Sequence, residues 1–181
     1  KISCLTVLQY MVRIIGIDPG SRFTGVGIID TAQQKIQHVH HETIKCGNGD
    51  FPDRLRIIFE GVNELIKQFR PNEMAIENVF MAKNANSALK LGQARGAAIC
   101  ATVVNDIVVH EYAAKAVKLA VVGKGGADKS QVQYMIRLLL NLKENVQEDA
   151  ADGLAIAICH ANNRWAQNRL VANNTSNWRK F

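Results

Sequence analysis

Four carboxylates interrupt or flank apolar runs: Asp18 in IIGIDPGS, Glu77 in MAIEN, and Asp149 with Asp152 in EDAADGLAIAI. A lone acid in such a place loses its hydration at a large cost unless it meets a cation or shifts its pKa. Several hard oxygen donors converging from separate segments suit Mg²⁺ or Mn²⁺. A pair of such ions can drive in-line phosphoryl chemistry. Asp149 and Asp152 stand three apart, so on a helix they share a face, and a cation would relieve their repulsion. Each acid also has a plainer reading by itself. Asp149, for example, suits the first turn of a helix, where the dipole favours negative charge.

Two further blocks could serve a polyanion. In VVGKGGADKSQV, Asp128 and Gln131 form a capping-box-like helix start, which places Lys129 in the first turn. A helix N-terminus with a lysine and glycines can bind phosphate, and the plain alternative is a solvated lysine. Lys118 precedes the block and would share its role. The spacing is not that of a Walker A loop. In NVFMAKNANSALKLGQARG, Phe80 and Met81 sit beside Lys83, two asparagines and Ser87. An apolar tip among basic residues can stack on exposed bases or wedge between them, and the alternative for Phe80 is ordinary packing. Among the histidines, His38, His40 and His41 are expected to be exposed on an edge strand. His160, two turns beyond Asp152, is a weak candidate for the site.

These residues need elements to position them. Val12 to Asp18 is a continuous β-branched run, hence a buried strand. Phe23 to Asp30 reads as a second strand, in which Gly25 and Gly27 permit close backbone approach. Residues 35–45 alternate as a third, and the three would form an antiparallel meander. Pro52 to Phe69 is an amphipathic helix, stopped by Pro71. Short strands follow at 73–77 and 107–110. Helices are predicted at 86–105, 113–122, 128–141 and 148–163. The second of these five helices carries a smooth stripe, Leu89, Gly92, Gly96, Ile99 and Val103, for packing on the sheet or on another copy of the chain. The fold class is α/β, with a five-stranded mixed sheet flanked by helices. Asp18 and Glu77 would end strands, where side chains face a crevice. The small residues Ala150, Ala151, Gly153 and Ala155 would let the last helix lie close to the sheet.

The 181 residues correspond to one domain. Residues 1–10 read as an upstream or expression-derived extension, 11–163 as the folded core and 164–181 as a basic, flexible tail. No stretch approaches the length of a membrane span. The four cysteines lack metal-ligand spacing and read as buried reduced thiols of a cytoplasmic protein. Net charge is +6, but residues 11–163 hold 17 basic and 16 acidic groups. Without the four clustered acids that body is distinctly basic, as an enzyme gripping a polyanion would be.

Taken together, GIDPGSR, AIENVFMAKNANSALKLGQARG, VVGKGGADKSQVQ and DAADGLAIAI resemble the RuvC-type Holliday-junction resolvases of bacteria, from Met11 to about His160. The resemblance implies an RNase H-like fold, a homodimer and a cytoplasmic role in recombination and DNA repair beside a branch-migration helicase complex. It implies two Mg²⁺ per subunit, held by Asp18, Glu77, Asp149 and Asp152, with Mn²⁺ able to substitute. It places Lys118 and Lys129 near the scissile phosphate and Phe80 against the opened four-way junction. The expected reaction is paired symmetric nicking that leaves 5′-phosphate and 3′-hydroxyl ends. Three rivals share parts of the pattern: an actin-like ATPase or sugar kinase through the Asp-x-Gly turn, a non-catalytic junction binder, and a nuclease for RNA–DNA hybrids.

Overall fold

The computed structural model describes residues 11–78 and 84–177, with side chains described up to residue 169. The proposed extension at 1–10, Phe80 and Lys83 lie outside the described residues. The strands are β1 (Val12–Asp18), β2 (Phe23–Ala32), β3 (Lys35–Lys45), β4 (Glu73–Glu77) and β5 (Val108–Tyr112). The helices are α1 (Phe51–Phe69), α2 (Ala85–Val103), α3 (Ala114–Val122), α4 (Lys129–Leu139) and α5 (Glu148–Asn177). Sheet order is β3-β2-β1-β4-β5. The first three strands are antiparallel, and β4 and β5 run parallel to β1.

The order follows from the residues. β1 is central and apolar on both faces. Ile14 packs with α3, α4 and α5, while Ile15 and Ile17 pack with α1 and α2. All three are fully buried, and each contributes about 1.5–3 kcal/mol by leaving water. Arg13 fixes the start of this strand. Its guanidinium grips Asp30 of β2 in a bidentate pair at 2.8 Å and donates to the Phe69 carbonyl that ends α1. A tight turn at Gln33 and Gln34, both with positive φ, joins β2 to β3.

Several sequence expectations need correction. β3 is the edge strand, but its histidines are half-buried. His40 stacks on Phe69, and His38 and His41 hydrogen-bond to each other at 2.8 Å. A bulge puts an extra residue, Val39, into the strand and breaks the simple alternation. The stripe on α2 is split: Ile99 packs against the core on this side of the sheet, but the rest of the stripe does not form that contact. Ala94, Ala98, Ala101 and Thr102 do, whereas Leu89 and Val103 are exposed. Cys46 and Cys159 are buried, but Cys100 is exposed. Helix α5 continues past the boundary expected at residue 163, so no break in secondary structure marks a tail there. Arg164 pairs with Glu73, and Trp165 packs against the core. Among the described residues no helix is long and apolar enough to cross a membrane.

Candidate active site

The site is built where β1 and β4 end. Ile17 pairs with Ile76 in parallel register, so Asp18 and Glu77, one step on, finish neighbouring strands side by side. Across the antiparallel ladder Asp18 lies opposite Gly25. That glycine admits the third contributor. A methyl group at Gly25 would stand 1.8 Å from the Asp149 carbonyl oxygen. The same holds along the contact: a Cβ at Gly27 would meet the Leu154 nitrogen at 2.4 Å, and one at Gly16 would meet the Gly153 carbonyl at 2.2 Å. Helix α5 therefore rests on bare strand backbone, and its first turns deliver Asp149 and Asp152 to the strand ends.

Asp18, Glu77 and Asp152 line one cleft of about 290 Å³ with Lys118 of α3 and Lys129 of α4. Asp149 does not line it, but its charge reaches Asp18 and Asp152. The acids disturb one another strongly. Burial, then Asp152, Glu77 and Asp149, push Asp18 up to about 7 against the opposing pull of Lys129. Burial and Asp152 raise Glu77, while Lys118 works the other way. Asp152 is raised by burial, although Lys129 and Lys118 oppose the shift. Such clustered, mutually raised carboxylates mark a place short of positive charge.

Lys129 stands at the first position of α4, after the expected capping box of Asp128 and Gln131. Its ammonium is bound to Glu148, the residue before Asp149, and that bond raises the Lys129 pKa. Sequence reasoning missed Glu148, although it belongs to the same acidic run. It also gave no role to Arg95 of the GQARG block. Arg95 Nε donates to the Glu77 carbonyl at 3.2 Å. Its Nη2 lies 2.7 Å from Glu111 Oε2 as an ion pair, without the angle of a directed hydrogen bond. His160, by contrast, does not reach the cleft. It is buried at the other end of β4, against Glu73 and Tyr112.

Comparison with known proteins agrees with this architecture. The family model described as crossover junction endodeoxyribonuclease RuvC matches residues 14–160. A crossover junction endodeoxyribonuclease RuvC of Xanthomonas euvesicatoria is 58% identical over 170 residues, covering 93% of this chain and 98% of the relative. The structure of T. thermophilus RuvC in complex with Holliday junction substrate superposes with a TM-score of 0.78 at 34% identity, covering 83% of this chain and 93% of that one. The yeast mitochondrial Holliday junction resolvase Ydc2 shares the fold, with a TM-score of 0.65 at 16% identity over 92% of this chain and 86% of that one. The mixed five-stranded sheet with flanking helices is thus RNase H-like, and the chain belongs to the RuvC family of crossover junction endodeoxyribonucleases.

Proposed function

We propose that the protein resolves four-way DNA junctions by paired nicks, with divalent cations held by Asp18, Glu77, Asp149 and Asp152. The observation that carries this reading is one cleft in which three of these acids meet Lys118 and Lys129. Membership of an endonuclease family and the likeness to a junction-bound relative support the substrate. The donor set fits Mg²⁺, with Mn²⁺ as a substitute. The oxygens are hard, and the burial and mutual repulsion that together lift Asp18 to about 7 are what a dication would offset. When bound, two such ions supply Lewis-acid activation of water and of the departing oxygen.

The chain's own residues do the rest. Asp18 feels all three other acids, so it would hold divalent cations together with them. Lys129 is already bound to a carboxylate. Exchanging Glu148 for a phosphate oxygen would keep its charge compensated while it steadies the negative charge that grows on phosphorus. Lys118 faces the same cleft from α3. Phe80 and Lys83 fall in sequence between Glu77 and Asn84, the cap of α2. By the family resemblance they would engage the opened junction. A homodimer would set two such clefts on a two-fold junction and give symmetric cuts with 5′-phosphate and 3′-hydroxyl ends. A branch-migration helicase complex and a cytoplasmic location complete the reading, on the strength of the family resemblance.

The test is cleavage of an end-labelled four-way junction beside linear duplex and RNA–DNA hybrid, with Mg²⁺ or with chelator. Paired nicks confined to the junction, absent in chelator and in Asp18→Asn, are expected. Tight junction binding without cuts would turn the protein into a binder, and preferential hybrid cleavage would overturn the substrate.

A further inference from the structure

A second cluster of ligand-type side chains lies at the opposite end of β4, about 13 Å of strand away from Glu77. Glu73 opens β4, His110 lies on β5, and His160 comes from α5. Their donor atoms all fall within 4.8 Å of one another. Glu73 Oε2 is 2.6 Å from His160 Nε2 and 4.0 Å from His110 Nε2. The two imidazoles stack with centroids 4.3 Å apart. We propose that Glu73, His110 and His160 form a transition-metal site, of Zn²⁺ class, separate from the acidic cleft.

The donor chemistry differs from that of the cleft. Two imidazole nitrogens and one carboxylate favour Zn²⁺ and its neighbours over Mg²⁺, which prefers oxygen. The groups that would orient the ligands are already in place. Tyr112 Oη lies 2.6 Å from His160 Nδ1. It can accept a hydrogen bond from Nδ1–H and leave Nε2 free to bind the metal. Arg164 holds the other oxygen of Glu73, so the carboxylate would bind through Oε2 alone. Protonation states favour binding too. Burial keeps His160 below the ordinary histidine range. Burial would raise Glu73, but His160 and Arg164 together outweigh it and hold the carboxylate ionised. The three ligands leave a fourth position, and His110, with 38% of its side chain exposed, gives it an entry from solvent. A metal there would pin the far part of α5 to the β4–β5 edge.

The experiment is Zn²⁺ binding to the chelator-stripped full chain in excess Mg²⁺, by equilibrium dialysis, with Co²⁺ absorption as the probe of nitrogen ligation. One Zn²⁺ per chain with a raised Tm is expected. His110→Ala and Glu73→Gln should each weaken it by about 100-fold or more, beyond what outer partners usually contribute. Asp18→Asn should leave it unchanged. His110 is partly exposed, so its variant should fold, which circular dichroism checks, and should still cut junctions with Mg²⁺. Absence of Zn²⁺ uptake, or uptake lost in Asp18→Asn but kept in His110→Ala, would overturn the site.

Discussion

Asp18 is where the electrostatics of the cleft can be measured. Its folded pKa of about 7 stands well above the ordinary 3.8. The folded chain therefore holds that proton more tightly than the unfolded chain. Relative to alkaline solution, the resulting stability is complete below 3.8 and is lost as pH rises through about 7. In chelator, Asp18→Asn should be more stable than the parent at alkaline pH, by on the order of 4 kcal/mol at most. The gap should close on acidification, and Mg²⁺ should raise the Tm of the parent far more than that of the variant. Urea melts across this pH range decide it, because a gap that ignores pH would remove Asp18 from the cluster. Arg95 acts one step back, through the Glu77 carbonyl and the Glu111 carboxylate. Arg95→Ala should lower kcat, with little change in junction affinity, and raise the Mg²⁺ requirement, on the order of 10-fold. Arg95→Lys should restore part of it by keeping the pair with Glu111. If Arg95→Ala changed thermal stability alone, it would not position Glu77.

At the scale of elements, the seat of α5 on β1 and β2 sets the distance between acids from different segments. Gly25→Ala places a methyl on the Asp149 carbonyl, with backbone on both sides and no flexible side chain to yield. It should cost about 2–3 kcal/mol and reduce cleavage more than junction binding, since Asp149 and Asp152 move while the basic surface remains. Denaturant melts and kcat/KM measured together check this, and normal cleavage would mean that α5 is not held by that contact. Much of this arrangement was legible beforehand. The β-branched run of β1, the glycines of β2 and the small residues of α5 each state a local need for burial or close approach. Those needs agree with one another. The capping box of α4 is equally local. What escaped depends on distant partners. The polar stretch after Asn163 has no apolar period, yet it stays helical where Arg164 meets Glu73 and Trp165 meets the core. His160 was placed with Asp152 by helical period. Eight residues, however, carry it roughly 12 Å along the axis, to the other end of the sheet. The histidines of β3 depended on a bulge that simple alternation does not reveal.

At the scale of the whole molecule, the outward face of α2 is one of the surfaces that the other described residues leave uncovered. Leu89 and Val103 are 66% and 55% exposed, and a Cβ at Gly92 or Gly96 would meet nothing within 4 Å. Two glycines in a helix interior cost about 1 kcal/mol each relative to alanine, with no packing among the described residues to offset it. A second copy lying close against this face would supply the compensation, because glycine lets two helix backbones approach. The two ideas separate cleanly in a Gly92→Ala, Gly96→Ala double variant. If α2 faces only solvent, the variant gains about 1–2 kcal/mol from helix propensity and its assembly is unchanged. If α2 joins two copies, the methyl groups hold the helices apart. Sedimentation should then show weaker self-association despite a helix that is intrinsically more stable. The consequence for chemistry follows from symmetry. A weakened dimer still carries an intact cleft in each chain, so single nicks should persist while paired, opposed nicks fall as the protein is diluted. Paired cutting that survives dilution as well as in the parent would place the contact between copies elsewhere.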